Sequence, residues 1–215
     1  MLGKSYGEGP DALRDVLHDL ARHPATARFV STKLARHFVA DEPPPALVDR
    51  LTAVYLKSDG QLGEVYRELI RHEASWSTEP AKLKTPEEFV VSTARILASG
   101  DRLFERPSIV SAAGVSIDNP VNPIAALGQR PMAAPSPAGW SDRAEDWLGP
   151  DAVWKRVEWA TRLADRAGRS VDARRLAAES LGPRLGAETA RQIERAADGS
   201  QALALLLLAP EFQRR

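Results

Sequence analysis

Four histidines, His18, His23, His37 and His72, are the side chains best placed by chemistry to hold a metal or move a proton near neutral pH. Their spacing limits them. A zinc pair on one helix face needs His-x-x-x-His, which does not occur, and His18 and His23 are five residues apart. His72-Glu73 offers one metal ligand or an acid/base pair. His23 stands just before Pro24, at a junction where an imidazole can equally serve a helix terminus. Arg28, Lys33 and Arg36 make a basic helical face near His37. That face suits a phosphate or an acidic partner, or is simply solvated. Glu64 and Glu68 lie one turn apart, as in di-iron bundles, but no Glu-x-x-His accompanies them, and Arg67 and Arg71 offer ordinary surface pairing.

Nucleophile and cofactor signatures are missing. There is no Gly-x-Ser-x-Gly elbow, no P-loop and no dinucleotide fingerprint. Ser108, Ser111 and Ser116 sit in a Pro/Gly-rich stretch without a local histidine. The chain has no cysteine, which excludes disulfides, thiol catalysis and Cys-ligated zinc. Lys plus Arg equals Asp plus Glu at 29 each, so a broad nucleic-acid surface is not expected. The sequence specifies no cofactor. Pro135 to Trp140 is the most distinctive segment: two prolines stiffen it, and Gly139 permits an unusual backbone angle beside a large ring. Trp140 either anchors this loop on the bundle or walls a ligand or partner groove.

These groups need a scaffold, and the apolar periodicity predicts one that is all-α, an irregular helical bundle. Leu13, Val16, Leu17 and Leu20 have helical spacing. Ala27, Val30, Leu34 and Phe38 share a face after Pro24, and Pro43 to Pro45 end that helix. Leu47, Leu51 and Val54 mark a third helix, and Leu62, Val65, Leu69 and Ile70 a fourth. Thr85-Pro86-Glu87-Glu88 reads as a capping-box start. Ser141 is expected to cap a short acidic helix. Pro150 starts a longer one bearing Val153, Val157, Ala160 and Ala164, with Trp154 flanking the core. Ser170 and Ser200 are expected to begin later helices. The last of these, with Leu203 and Leu205 to Leu208, should be buried on most sides. The one strand candidate, around Val115, is weak. The expected organisation is a helical part at 1–106, a Pro/Gly-rich connection at 107–140 with a short helix near Val121 to Leu127, and a helical part at 141–215, packed as one unit. Asp59-Gly60, a helix and Trp76 echo Asp198-Gly199, a helix and Phe212, either as a repeated two-helix unit or as the coincidence of two amphipathic helices. The longest apolar run, Ala202 to Ala209, is too short to span a bilayer, and Met1 to Pro10 carries no export signal.

Several blocks are more specific. His23-Pro24-Ala25-Thr26-Ala27-Arg28-Phe29-Val30, running on through Lys33-Leu34-Ala35-Arg36-His37-Phe38-Val39 and Asp41-Glu42-Pro43-Pro44, resembles a large bacterial family known as domain of unknown function 1800. Lys84-Thr85-Pro86-Glu87-Glu88-Phe89-Val90-Val91, Leu127-Gly128-Gln129, Pro135-Ser136-Pro137-Ala138-Gly139-Trp140 and Leu208-Ala209-Pro210-Glu211-Phe212 fit the same family. The resemblance implies no established activity. It implies a longer protein of which this chain is the C-terminal portion, a partner from the neighbouring-gene family 1501, which is similar to sulfatases and phosphatases, and an exported or envelope setting for full-length relatives.

The expectation is therefore a soluble helical scaffold or interaction module of a larger bacterial protein. The competing reading is an enzyme whose site is completed by an absent N-terminal half. His23, Arg28, Arg36, His37 and Trp140 are the candidate binding residues, and no residue is assigned a catalytic or metal role. Truncation should leave apolar surface exposed at Leu13 to Phe38, open to self-association, and Pro107 to Pro120 should be the longest mobile region.

Overall fold

Proline sets the start of most of the longer helices. It is the first residue of α1 (Pro10–Ala21), α2 (Pro24–Phe38) and α3 (Pro45–Lys57). Its fixed φ suits the first helical turn, where its missing N–H would have had no partner. The computed structural model describes residues 3–77, 79–97, 108–110, 116–118 and 121–215, with backbone alone at 108–110, 116–118 and 121–122. These residues divide into two compact units, Met1–Lys82 and Leu83–Arg215. The fold is all-α. Among the described residues, extended structure is limited to a two-stranded hairpin and one isolated bridge, Leu83 to Arg214.

The first unit is built on a helical hairpin. α3 is followed by α4 (Leu62–Arg71) and a 3₁₀ turn, Glu73–Trp76. The connection reverses through Asp59 and Gly60, both at positive φ, and the Gly60 N–H donates to the Tyr55 carbonyl at 2.8 Å. Gly60 also lies against the Tyr55 ring, at ordinary contact distance for an added Cβ, so its left-handed φ is what demands glycine there. Ala27 and Ala35 of α2 pack with Leu47, Val48, Leu51 and Tyr55 of α3 and Val65 and Leu69 of α4. Two small residues at Ala27 and Ala35 let α2 lie close on α3. The Lys82 ammonium is buried and paired with Asp41, just past α2, which ties the end of this unit to its middle.

The second unit centres on α7 (Pro150–Ala167) and α10 (Gly199–Leu208). Around them lie α5 (Pro86–Leu97), α6 (Val121–Ala126), α8 (Ala173–Leu181), α9 (Ala187–Glu194) and the short α11 (Pro210–Gln213). Its core joins Phe89, Val90 and Ala94 of α5 with Leu163 and Ala164 of α7 and Leu203, Leu206 and Leu207 of α10. The sequence groups α5 with residues 1–106; here it packs into the second unit, because Phe89 meets Trp159 and Phe212.

Several local expectations are refined. The capping box at α5 is present: Thr85 N–H donates to Glu88 Oε2 at 2.8 Å and Glu88 N–H to Thr85 Oγ1 at 3.3 Å. α10 is capped by Asp198, which accepts from Gln201 N–H, and α8 by Asp172, which accepts from Arg174 and Arg175 N–H; Ser200 and Ser170 are not the caps. A carboxylate two residues away wins in both cases because aspartate reaches the N2 and N3 donors and carries the charge the helix dipole favours. Ser141 accepts from Arg143 N–H and precedes a 3₁₀ turn, Ala144–Trp147, in place of a regular helix. The buried face of α7 is Arg156, Ala160, Leu163, Ala164 and Ala167, rotated from the Val153–Val157 face, so Trp154 is 65% exposed. Strands β1 (Ser108–Val110) and β2 (Ser116–Asp118) pair antiparallel, Ile109 opposite Ile117. β2 overlaps the weak candidate, Val115-Ser116-Ile117, at Ser116 and Ile117. Apart from these strands, Pro107 to Pro120, expected to be mobile, lies outside the described residues.

Candidate functional site

In the first unit, α2, α4 and the 3₁₀ turn enclose an open groove of about 640 Å³ lined by Leu34, Phe38, Tyr66, Leu69, Ile70 and Trp76. The helix faces explain it. Val65 and Leu69 of α4 are buried under α3, and the next positions round the helix, Tyr66 and Ile70, carry the apolar stripe out to solvent. Ile70 is 60% exposed and Trp76 69%. Trp76 is held over the end of α4 by its indole N–H, which donates to the Ile70 carbonyl at 2.5 Å. Lys33 stands beside Leu34 on α2, whereas Arg67 and Arg71 of α4 line a separate cleft against α3. In the same unit α1 buries no residue, and Leu13 and Leu17 are 65% and 57% exposed. α1 carries three aspartates and one arginine.

The sequence-predicted residues separate. His23 caps α2: its Nδ1 accepts from Ala25 N–H at 3.1 Å. His72 does the same for the 3₁₀ turn, accepting from Ala74 N–H at 3.2 Å. An imidazole nitrogen here takes the place usually filled by Ser, Thr, Asn or Asp. His23→Ala is expected to cost about 1 kcal/mol in urea unfolding followed by circular dichroism, and His23→Asn much less; equal losses in the two variants would contradict the capping role. Arg28 pairs with Asp49 at 2.7 Å, and Arg36 Nε donates to the Asp41 carbonyl at 3.0 Å, so these two cations are engaged in holding α2 to its surroundings. His37 packs edge-on against Phe38 at 4.6 Å between ring centroids. Trp140 belongs to the second unit, half-buried, with its ring 5.9 Å from that of buried Trp147; Gly139 beside it has φ of 88°. Among the described residues, no three His, Asp or Glu side chains are grouped to hold a metal ion.

A second cluster, in Leu83–Arg215, escaped the sequence reading. The segment before α5 and the chain end run antiparallel: Lys84 N–H donates to the Gln213 carbonyl at 2.8 Å. Buried Arg156 locks the pair, donating to the Lys84 carbonyl at 2.6 Å and to Gln213 Oε1 at 2.7 Å. Arg215 pairs with Glu88 at 2.6 Å, and Gln129 Oε1 accepts from Glu87 N–H at 2.8 Å. Glu211 accepts from Gly186 N–H and Thr189 Oγ1. The Lys84 ammonium lies 3.9 Å from the centroid of the Phe212 ring. Burial pulls Lys84 down to about 8, Arg184 acts the same way and Glu88 opposes. Burial likewise lowers Arg156. The signal available in sequence was an arginine at position 156 on the same face as Ala160 and Leu163.

Lys84 gives the second unit a pH dependence. Below pH 8 the amine is protonated in both folded and unfolded chains. Between about 8 and the ordinary value of 10.5, the unfolded chain holds the proton and the folded chain does not. Stability contributed by this residue therefore rises with pH across that window. In urea titrations at pH 7.5 and pH 10, wild type should gain stability relative to Lys84→Met at the higher pH. A gap that is unchanged or moves the other way would contradict the assignment.

The family model described as protein of unknown function (DUF1800) matches residues 1–214. The chain belongs to this family. No curated protein and no solved structure matches it. The DUF1800 match runs through both units. The motif blocks have distinct structural work: the His23 block forms α2 and its cap, while the Lys84, Leu127 and Leu208 blocks meet in the Arg156 cluster. Among the described residues, no helix is long and apolar enough to cross a membrane.

Proposed function

We propose that this chain is a helical interaction module and that it self-associates, with α1 of one copy lying in the groove of a second. The observation that carries the reading is the match between two exposed apolar features of one unit. The groove has an apolar floor, with Lys33 next to it in sequence on α2. α1 offers leucines at i and i+4 on a helix with an excess of aspartate. Helix-in-groove recognition uses anchors at that spacing, and an acidic helix laid beside Lys33 meets opposite charge there. A two-fold axis would place each α1 in the other copy's groove, so the assembly closes as a dimer. The charged cluster around Arg156 serves as structural support in this reading, since its polar groups are spent on one another.

Size-exclusion chromatography with light scattering tests it. Wild type should move from monomer to dimer mass as concentration rises, and Leu17→Glu should hold the monomer mass throughout. Dimers that persist in Leu17→Glu would place the interface elsewhere. A wild type that stays monomeric but retains a helical protein with acidic flanks would show that the groove serves a different partner, and would overturn self-association.

A further inference from the structure

On the other side of the hairpin, the solvent-facing stripes of α3 and α4 look at each other across a cleft of about 370 Å³. α3 contributes Arg50, Val54 and Lys57, and α4 contributes Glu64, Arg67, Glu68 and Arg71. Within each set the spacing is that of a single helical face. Four cations and two carboxylates leave the lining with an excess of two positive charges. The carboxylates organise two of the cations. Arg50 forks onto Glu68 through Nε at 2.7 Å and Nη2 at 3.3 Å, and Arg67 pairs with Glu64. Arg50 holds the Glu68 carboxyl below its ordinary range, with Arg71 adding to the effect through space. Lys57 and Arg71 form no direct ion pair among the described residues. Two like charges facing one concavity without a carboxylate of their own leave that concavity short of two negative charges.

We propose that this cleft binds a small phosphate-bearing ligand, with Lys57 and Arg71 as its first contacts and the Arg50 and Arg67 guanidinium groups, already oriented by Glu68 and Glu64, turned toward it. A phosphate monoester supplies the two missing charges, and a guanidinium fork matches its oxygens as a pair. The cleft is larger than one phosphate ion and lies at the small end of the range for organic ligands. Ala53 and Val54 give it an apolar strip for the part of the ligand that carries the phosphate. The inference stands apart from the α1-in-groove reading, which uses the opposite side of α4.

The test is titration calorimetry with inorganic phosphate, pyrophosphate and phenyl phosphate at fixed ionic strength. It is run on wild type and on Leu17→Glu, so that self-association cannot supply the heat. Phenyl phosphate should bind more tightly than inorganic phosphate, which binds more tightly than chloride. Lys57→Ala and Arg71→Ala should each weaken binding about tenfold, the loss of one charge-assisted contact. Arg14→Ala on α1 should leave it unchanged. All of these side chains are exposed or half-exposed, so the variants keep the fold, which circular dichroism verifies. Absence of binding at millimolar phosphate overturns the proposal. So does binding that chloride displaces equally, or that is unchanged in both Lys57→Ala and Arg71→Ala.

Discussion

Gly168→Ala is expected to destabilise the second unit by about 3 kcal/mol, at the upper end of overpacking costs. The backbone at Gly168 has an ordinary helical φ of −62°, so alanine is conformationally welcome there and would, in an open site, stabilise slightly. Space decides against it. Gly168 closes α7 where Gly199 opens α10, and a Cβ added at Gly168 would collide with the backbone of Gly199 and Ser200. The reverse holds at Gly199, whose added Cβ would meet the Gly168 carbonyl. Both partners are main chain, so no rotamer change relieves the clash and the two central helices must move apart. Urea unfolding followed by circular dichroism measures the effect. Unchanged or increased stability would mean that α7 and α10 do not approach as closely as described.

Phe89→Ala should cost about 3–5 kcal/mol, the range for removing a large buried ring. Phe89 is fully buried, stands edge-on to Trp159 at 5.0 Å and to Phe212 at 6.2 Å, and lies under the Arg156 guanidinium. Truncation leaves a cavity and takes away the ring against which the buried charge packs. The same variant should shift the fluorescence of Trp159 toward that of a solvated indole. Phe29→Ala, at an exposed ring on α2, provides the contrast, with a change within about 0.5 kcal/mol. Similar losses in the two variants would contradict the placement of the core.

Most of the helices were legible from proline positions and apolar spacing, because both act within a few residues. The capping box at Thr85 and Glu88 is local in the same way. Three kinds of feature were not legible. Competing caps two residues apart, Asp198 against Ser200, differ only in reach and charge. The depth of a helix face depends on what packs against it: Ile70 continues the Val65–Leu69 stripe and is exposed. The face of α7 turns on Arg156, a residue that periodicity counts as polar and that is buried because the Lys84 carbonyl and Gln213, 72 and 57 positions away, satisfy it. The echo between the two Asp-Gly turns is not repeated in the backbone. Asp59 has positive φ in a reversing turn, whereas Asp198 is extended and caps a helix. Of the candidate site residues, His23, Arg28, Arg36 and His37 fell on one helix as expected, but the groove beside them is made by apolar residues of α2, α4 and the 3₁₀ turn. Only the fold brings those together.

Mixing two variants tests the central claim most directly. Leu17→Glu removes the inserting stripe, and Ile70→Glu removes the groove floor, both at exposed positions that leave the core intact. Each alone should run at monomer mass in light scattering. In an equimolar mixture, the intact α1 of the Ile70→Glu chain can enter the intact groove of the Leu17→Glu chain, and a heterodimer mass should return in part. Either variant dimerising alone, or a mixture no heavier than its components when wild type is a dimer, would show that α1 and the groove are not each other's partners.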